Sequence, residues 1–423
     1  MEKVTPKLRF PEFKKNWENK SFNSLYTFKS TNSFSRENLN YENGEIKNIH
    51  YGDIHTKFNT LFDITKEKVP FINPTIDISK IKEDSYVEKG DLIIADASEN
   101  YDDIGKMIEV VNVNDEKLVA GLHTFLAKRK NSNNAIGFTA NLVKTWNVRQ
   151  QILKIAQGTK VLSLSTGRLG EVTLTIPQPE EQQKIASFLT SVDERLTLLA
   201  QQKEKLELYK KGVMQQIFSQ KLRFKDENEN EYPDWEEKKL GDICKLQGGF
   251  AFKSNEFKET GIPVIRISNI SNHTNHIDLN SIVFYNKIEK DENFTIKKGD
   301  LIIAMSGATT GKSSIYNLEY YAYLNQRVGL FKSLTNKLEY NFLIQFVFSD
   351  LFKKQLDSLL VAGAQPNISS KDIESLSIPF PVTEEQQKIA SFLSAIDAQI
   401  EGVSKKIEQT KLFKKGLLQQ MFV

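Results

Sequence analysis

Residues Ser306 to Ser313 (SGATTGKS) follow a β-branched run and combine the glycines, threonines and lysine from which phosphate-binding loops are made. Their spacing does not suit that chemistry. Such a loop needs four residues between its glycines so that backbone amides close around the anion, whereas Gly307 and Gly311 enclose three. The SIYNLEYYAY that continues is too aromatic for the required helix, so nucleotide hydrolysis is not expected. YPDWEEKK, from Tyr232, sets Asp234 and Glu236 ahead of a lysine, as metal-dependent nucleases do, but one residue separates the carboxylates and the counterpart PEFKKNWENK lacks the aspartate. A surface turn is the expected reading. A base-gripping adenine methyltransferase loop needs two prolines, yet Asn73 and Pro74 are followed by Thr75. His50, His55, His123, His273 and His276 lie in polar, turn-like sequence, and the lone Cys244 permits neither an internal disulfide nor an easy closed zinc site. No catalytic residue and no metal ligand is assigned; binding outranks catalysis.

The 423 residues exceed what one core usually organises. With 39% hydrophobic and 26% charged residues, no apolar run of bilayer length and no apolar leader in MEKVTPKLRF, a cytoplasmic location away from membranes is expected. A net charge of +3 neither announces nor excludes a nucleic-acid partner.

The chain repeats itself. EEQQKIASFL occurs at Glu180 to Leu189 and again, without a change, at Glu384 to Leu393. The match continues in register through Asp193 and Asp397 into YKKGVMQQIF (from Tyr209) and FKKGLLQQMF (from Phe413). Upstream the register drifts: KGDLIIA recurs at Lys89 and Lys298, IHYGDI at Ile49 faces IRISNI at Ile265, and KLRF opens both copies at Lys7 and Lys221. A scaffold kept intact around divergent segments suggests two similar modules with two different surfaces; simple drift of unconstrained parts is the alternative.

After each EEQQ, about forty residues free of proline carry apolar side chains at alternating four and three spacing, the stripe of a helix that pairs with another. Copy one gives Ile185, Leu189, Val192, Leu196, Leu199 and Leu206; copy two gives Ile389, Leu393, Ile396, Ile400, Val403 and Ile407. Lys203 and Lys210 interrupt the first stripe, and Thr410 and Lys414 the second, so neither helix is expected to stand alone. The economical arrangement is an antiparallel intramolecular coiled coil, roughly 60 Å long at 1.5 Å per residue, holding two modules apart; helices lying on a globular core are the other option. Between them, β-branched runs such as DLIIA, SIVFY and VTLTIP read as strands, and Tyr340 to Leu360 reads as helix. The expected class is α+β, two mixed α/β modules joined by two long helices, with module one at 1–178, helix one at 179–222, module two at 223–381 and helix two at 382–423.

Together, IP-x-P, EEQQKIA-x-FL, KKG and QQ-x-F in both helices, with QGGFAFKS, GIPVIRISNI, KGDLIIAMSGATTGKS and LNQRV in module two, resemble the specificity subunits of type I restriction-modification systems. Copy one departs from the pattern where ADASENYDDIGK replaces AMSGATTGK. The resemblance implies target-recognition domains that each read half of an asymmetric bipartite site in double-stranded DNA. It implies helices that space the halves and dock two methylation subunits, with restriction subunits joining the complex. S-adenosylmethionine, ATP and Mg would then sit on those partners, and no cofactor on this chain. Base reading needs side chains that reach base edges, and phosphate contacts set register. Candidates in module two are Thr309, Thr310, Lys312, Gln326 and Arg327, with Gly307 and Gly311 letting backbone approach a phosphate; in module one they are Lys106, His123 and Thr124.

Overall fold

A computed structural model of the chain describes residues 5–130, 133–270, 276–289, 291–361 and 367–423; His273 lies outside them. The chain divides into two compact units, residues 1–200 with 405–423, and residues 201–404.

The first unit is built on a five-stranded sheet. Thr124–Arg129 pairs antiparallel with Tyr26–Lys29 and Leu92–Ala95, and Leu92–Ala95 pairs with Met107–Asn112. Every residue of LIIA is buried, because this strand is covered on both faces and an unbroken apolar run is what such a position demands. A smaller sheet sets Leu118–Ala120 parallel to Lys47–Ile49.

The second unit repeats the plan. Cys244–Gly248 pairs with Val328–Ser333, which pairs with Leu301–Ala304, which pairs with Ser313–Ile315. A second sheet sets Ala322–Leu324 parallel to Ile262–Ile265. The strands expected in DLIIA, SIVFY and VTLTIP are Leu92–Ala95, Leu301–Ala304, Val283–Tyr285 and Thr173–Ile176. The stretch read as helix over 340–360 is two helices, Tyr340–Val347 and Asp350–Val361. The break falls at Ser349, whose buried hydroxyl accepts the Phe352 amide at 3.2 Å and so starts the second helix anew.

The two long helices are Pro179–Phe218 and Thr383–Gln420. Each carries two glutamates in its first turn, where the helix dipole favours negative charge; the first opens on a proline, which has no amide hydrogen to leave unpaired there. In the first unit, Ile185, Leu189 and Val192 share a core with Leu417, Met421 and Phe422. In the second, Val213, Ile217 and Phe218 share one with Ile389, Leu393 and Ile396. The start of one helix thus meets the end of the other in both units, which makes the pairing antiparallel. Val403 is buried as well, while Leu196, Leu199, Leu206, Ile400 and Ile407 are half-buried. Fully burying one such aliphatic side chain contributes about 1.5–3 kcal/mol.

Two of the lysines that break the stripe are ion-pair partners. Lys210, only 8% exposed, places Nζ 2.6 and 2.7 Å from the Asp397 oxygens, and Lys414 places Nζ 2.5 and 2.7 Å from those of Asp193. Asp397 also accepts a 2.9 Å hydrogen bond from Gln345 Nε2. The same pair is therefore built once per unit, from the same repeated positions.

Candidate nucleic-acid interface

Backbone hydrogen bonds bring candidate residues of each unit to one edge of its sheet, the end at which an interior strand, Leu92–Ala95 or Leu301–Ala304, finishes between two neighbours. In the first unit, Ala95 N donates to Lys106 O at 2.9 Å and Asp96 N to His123 O at 3.1 Å. In the second, Ala304 N donates to Lys312 O at 2.8 Å and Met305 N to Arg327 O at 2.9 Å. Lys106 therefore matches Lys312, and His123 matches Arg327. The connecting loop is longer in the first unit, but in both it closes through a left-handed glycine, Gly105 at φ 69° and Gly311 at φ 82°, whose N–H returns to the Ala95 or Ala304 carbonyl.

Gln326 and Arg327 are exposed. Thr309 and Thr310 are half-buried; their hydroxyls donate to Ile267 O at 3.1 Å and Gly307 O at 2.6 Å. In the loop whose glycines are expected to let backbone approach a phosphate, the amides of Thr310, Gly311 and Lys312 are taken by the carbonyls of Gly307, Ala304 and Thr309. Gly311 is needed for packing: a Cβ there would lie 2.5 Å from Leu356 Cδ2. Thr124, proposed as a base contact, is 3% exposed and its hydroxyl donates to Gly121 O at 2.6 Å; it begins a strand and has no free donor. Lys106 is partly tied, with Nζ 2.5 Å from His55 O and 3.5 Å from Asp103.

The first unit also gathers residues that sequence did not bring together. The Tyr51 ring lies 4.6 Å from that of His50, 5.5 Å from His55 and 5.4 Å from His123. Burial, reinforced by the nearby Arg36 charge, pushes His50 down to about 4, and burial lowers His55, so both are neutral at neutral pH. Burial alone would raise the fully buried Asp53 carboxyl, but hydrogen bonds from Arg36 at 2.8 Å and from Lys57 leave it below the usual carboxylate range. Among the described residues, no group of three or more His, Cys, Asp or Glu is placed to hold a metal.

The repeated EEQQ has a structural reason. Glu181, 1% exposed, accepts Arg9 Nε and Nη2 at 2.7 Å and Trp17 Nε1 at 3.3 Å. Glu385, fully buried, accepts Arg223 Nε at 3.2 Å and Nη2 at 2.8 Å, and Trp235 Nε1 at 2.8 Å. Gln182 accepts the Ala135 amide at 3.0 Å and Gln386 the Glu339 amide at 2.9 Å, while their Nε2 groups donate to the Pro177 and Pro381 carbonyls. Each helix start is thereby latched to its own unit. Asp234, of the YPDWEEKK stretch, is fully exposed and lies outside any helix, strand or turn beside this latch, and Trp235 is part of the latch.

Two copies of one α/β module, alike in framework and different at the same edge, define a two-site binding scaffold. Residues 14–208 and 232–411 match the family described as type I restriction modification DNA specificity domain, and the chain belongs to that family as a specificity subunit. It is 30% identical to the type I restriction enzyme MjaVIII specificity subunit of Methanocaldococcus jannaschii over 62% of this chain and 64% of that relative, and thus matches less than two thirds of that relative's length. It is 28% identical to the EcoKI specificity subunit of Escherichia coli over 40% of this chain and 37% of the relative. The fold superposes on a crystal structure of a type I restriction-modification system S subunit from M. genitalium with a TM-score of 0.60 at 17% identity, covering 99% of both chains. A structure from a study of complex assembly in a type I R-M system gives 0.55 at 16% identity, covering 96% of this chain and 97% of that one.

Proposed function

We propose that this chain selects the DNA site for a type I restriction-modification complex, each module reading one half of an asymmetric bipartite sequence in double-stranded DNA. The observation that carries this reading is one sheet edge built twice by the same backbone hydrogen bonds and furnished differently, Lys106 with His123 and Lys312 with Arg327. Two equivalent frames with different side chains suit two different half-sites of one duplex. The chain itself is a non-catalytic subunit of the cytoplasm. Two methylation subunits carry S-adenosylmethionine, and restriction subunits carry ATP and Mg.

The helices set the half-site spacing and dock the methylation subunits. Leu208 and Tyr209, 62% and 54% exposed, recur as Leu412 and Phe413, 68% and 54% exposed. Large apolar side chains repeated on two helices suit two copies of one partner. Membrane association is not part of this reading: among the described residues, no helix is long and apolar enough to cross a membrane.

Binding of the chain, assembled with its methylation subunits, to duplex DNA tests the proposal. Sequence-dependent binding that weakens steeply with added salt is expected, because neutralising phosphates releases counterions. Salt-independent or absent DNA binding would favour a protein-binding adaptor.

A further inference from the structure

The matched edges differ in hydrogen-bonding chemistry. Where the second unit has Met305 and Arg327, the first has Asp96 and His123, related by the same backbone bond from residue 96 or 305 to the carbonyl of 123 or 327. The Asp96 side chain is 23% exposed, and its Oδ1 is buried and makes no hydrogen bond. His123 Nδ1 stands 3.4 Å from that oxygen, near enough for attraction when the ring is protonated. His123 itself is left-handed at φ 54°, a conformation that side chains other than glycine rarely adopt and that concentrates at recognition sites. Tyr51 packs edge-on against its ring and fixes its place.

A carboxylate offers acceptors alone, whereas a guanidinium offers donors alone. In the major groove, adenine N6 and cytosine N4 are donors, while guanine O6 and N7 are two adjacent acceptors that repel a carboxylate and match an arginine in bidentate fashion. Met305 cannot hydrogen-bond strongly and leaves that choice to the exposed Arg327.

We propose that the two modules read opposite base chemistry at this equivalent position: Asp96, oriented by His123, selects a base that presents an exocyclic amino group in the major groove, adenine or cytosine, and Arg327 selects guanine. This assignment rests on the DNA-reading function proposed above.

The test uses the full chain assembled with its methylation subunits, competition binding to duplexes changed one base pair at a time, and module exchange to assign the half-sites. Arg327→Ala should lower discrimination at one guanine of the second module's half-site by on the order of tenfold or more, and Arg327→Lys by less. Asp96→Ala should do so at one adenine or cytosine of the other half-site. Asp96→Met combined with His123→Arg should move the preference there to guanine. Retained preference at the unaltered half-site marks a folded variant. The assignment is overturned if Arg327→Ala relaxes a base other than guanine, or relaxes none while binding persists. It is also overturned if both Arg327 variants lose preference throughout both halves, which would make the residue structural. A wild-type complex with no base preference in any duplex would instead overturn the functional reading beneath it.

Discussion

Glu385→Ala removes a fully buried carboxylate that accepts from Arg223 and Trp235. The guanidinium loses its counter-charge and the indole N–H its acceptor. Breaking a buried ion pair from one side costs about 3–5 kcal/mol. Arg223 is 22% exposed and keeps the carbonyls of Tyr232 and Pro233, so the lower end, about 3 kcal/mol, is expected. In a compact unit spanning 201–404 that loss should lower Tm by roughly 6–12 °C. Scanning calorimetry of the full chain, alongside Trp235 fluorescence, would follow the transition. Glu385→Gln keeps the shape and one acceptor and should lose less, and Arg223→Met with Glu385→Leu should recover most of the loss, since an apolar pair of similar volume replaces both charges. An alanine variant melting within about 2 °C of wild type would refute the latch, because only a surface pair costs that little.

Glu181→Ala should destabilise the first unit similarly, through Arg9 and Trp17. Glu109 is fully buried, and burial, opposed by amides of Gly137 and Ala140, pushes it up to about 7. Its protonated form is the one favoured by folding, so its contribution is full below about pH 4.5 and lost as pH rises through about 7. Stability of the first unit should fall from about pH 5 to about pH 8, by up to about 3 kcal/mol, and Glu109→Gln should flatten that fall in urea titrations; equal slopes would contradict it. Gly311→Ala, forced against Leu356, should cost about 1–3 kcal/mol by the same measurement, whereas no loss would mean that the loop yields freely. Inserting about one turn after Leu199 should widen the spacer between half-sites, whose centres are expected roughly 34–36 Å apart, without altering either half; altered half-site bases would count against the helices as spacers.

Much of the scaffold was legible because the ten-residue repeat marks both helix starts and the heptad stripe marks the faces that pair. What the EEQQ does was not legible: its partners Arg9 and Trp17, or Arg223 and Trp235, lie far off in sequence and recur at different offsets, so no local pattern joins them. Lys210 and Lys414 read as defects because a stripe counts apolar side chains, while the carboxylates that complete them, Asp397 and Asp193, stand on the opposite helix. At the candidate edge, sequence offered Lys106, His123 and Thr124 only as approximate counterparts of the module-two candidates, and it is the backbone bonds that pair Lys106 with Lys312 and His123 with Arg327. Thr124 failed because one step along a strand turns a side chain from the surface into the core. The composition of the glycine loop likewise cannot reveal that the amides of Thr310, Gly311 and Lys312 are taken by nearby carbonyls.

The proposed division of reading between the two modules can be tested directly. Residues 15 to 178 can be exchanged for the corresponding module of another specificity subunit, and methylated adenines mapped across a genome that carries the methylation subunits. One half of the bipartite site should change while the other half stays as it was. Change in both halves, or in neither while methylation persists, would contradict it.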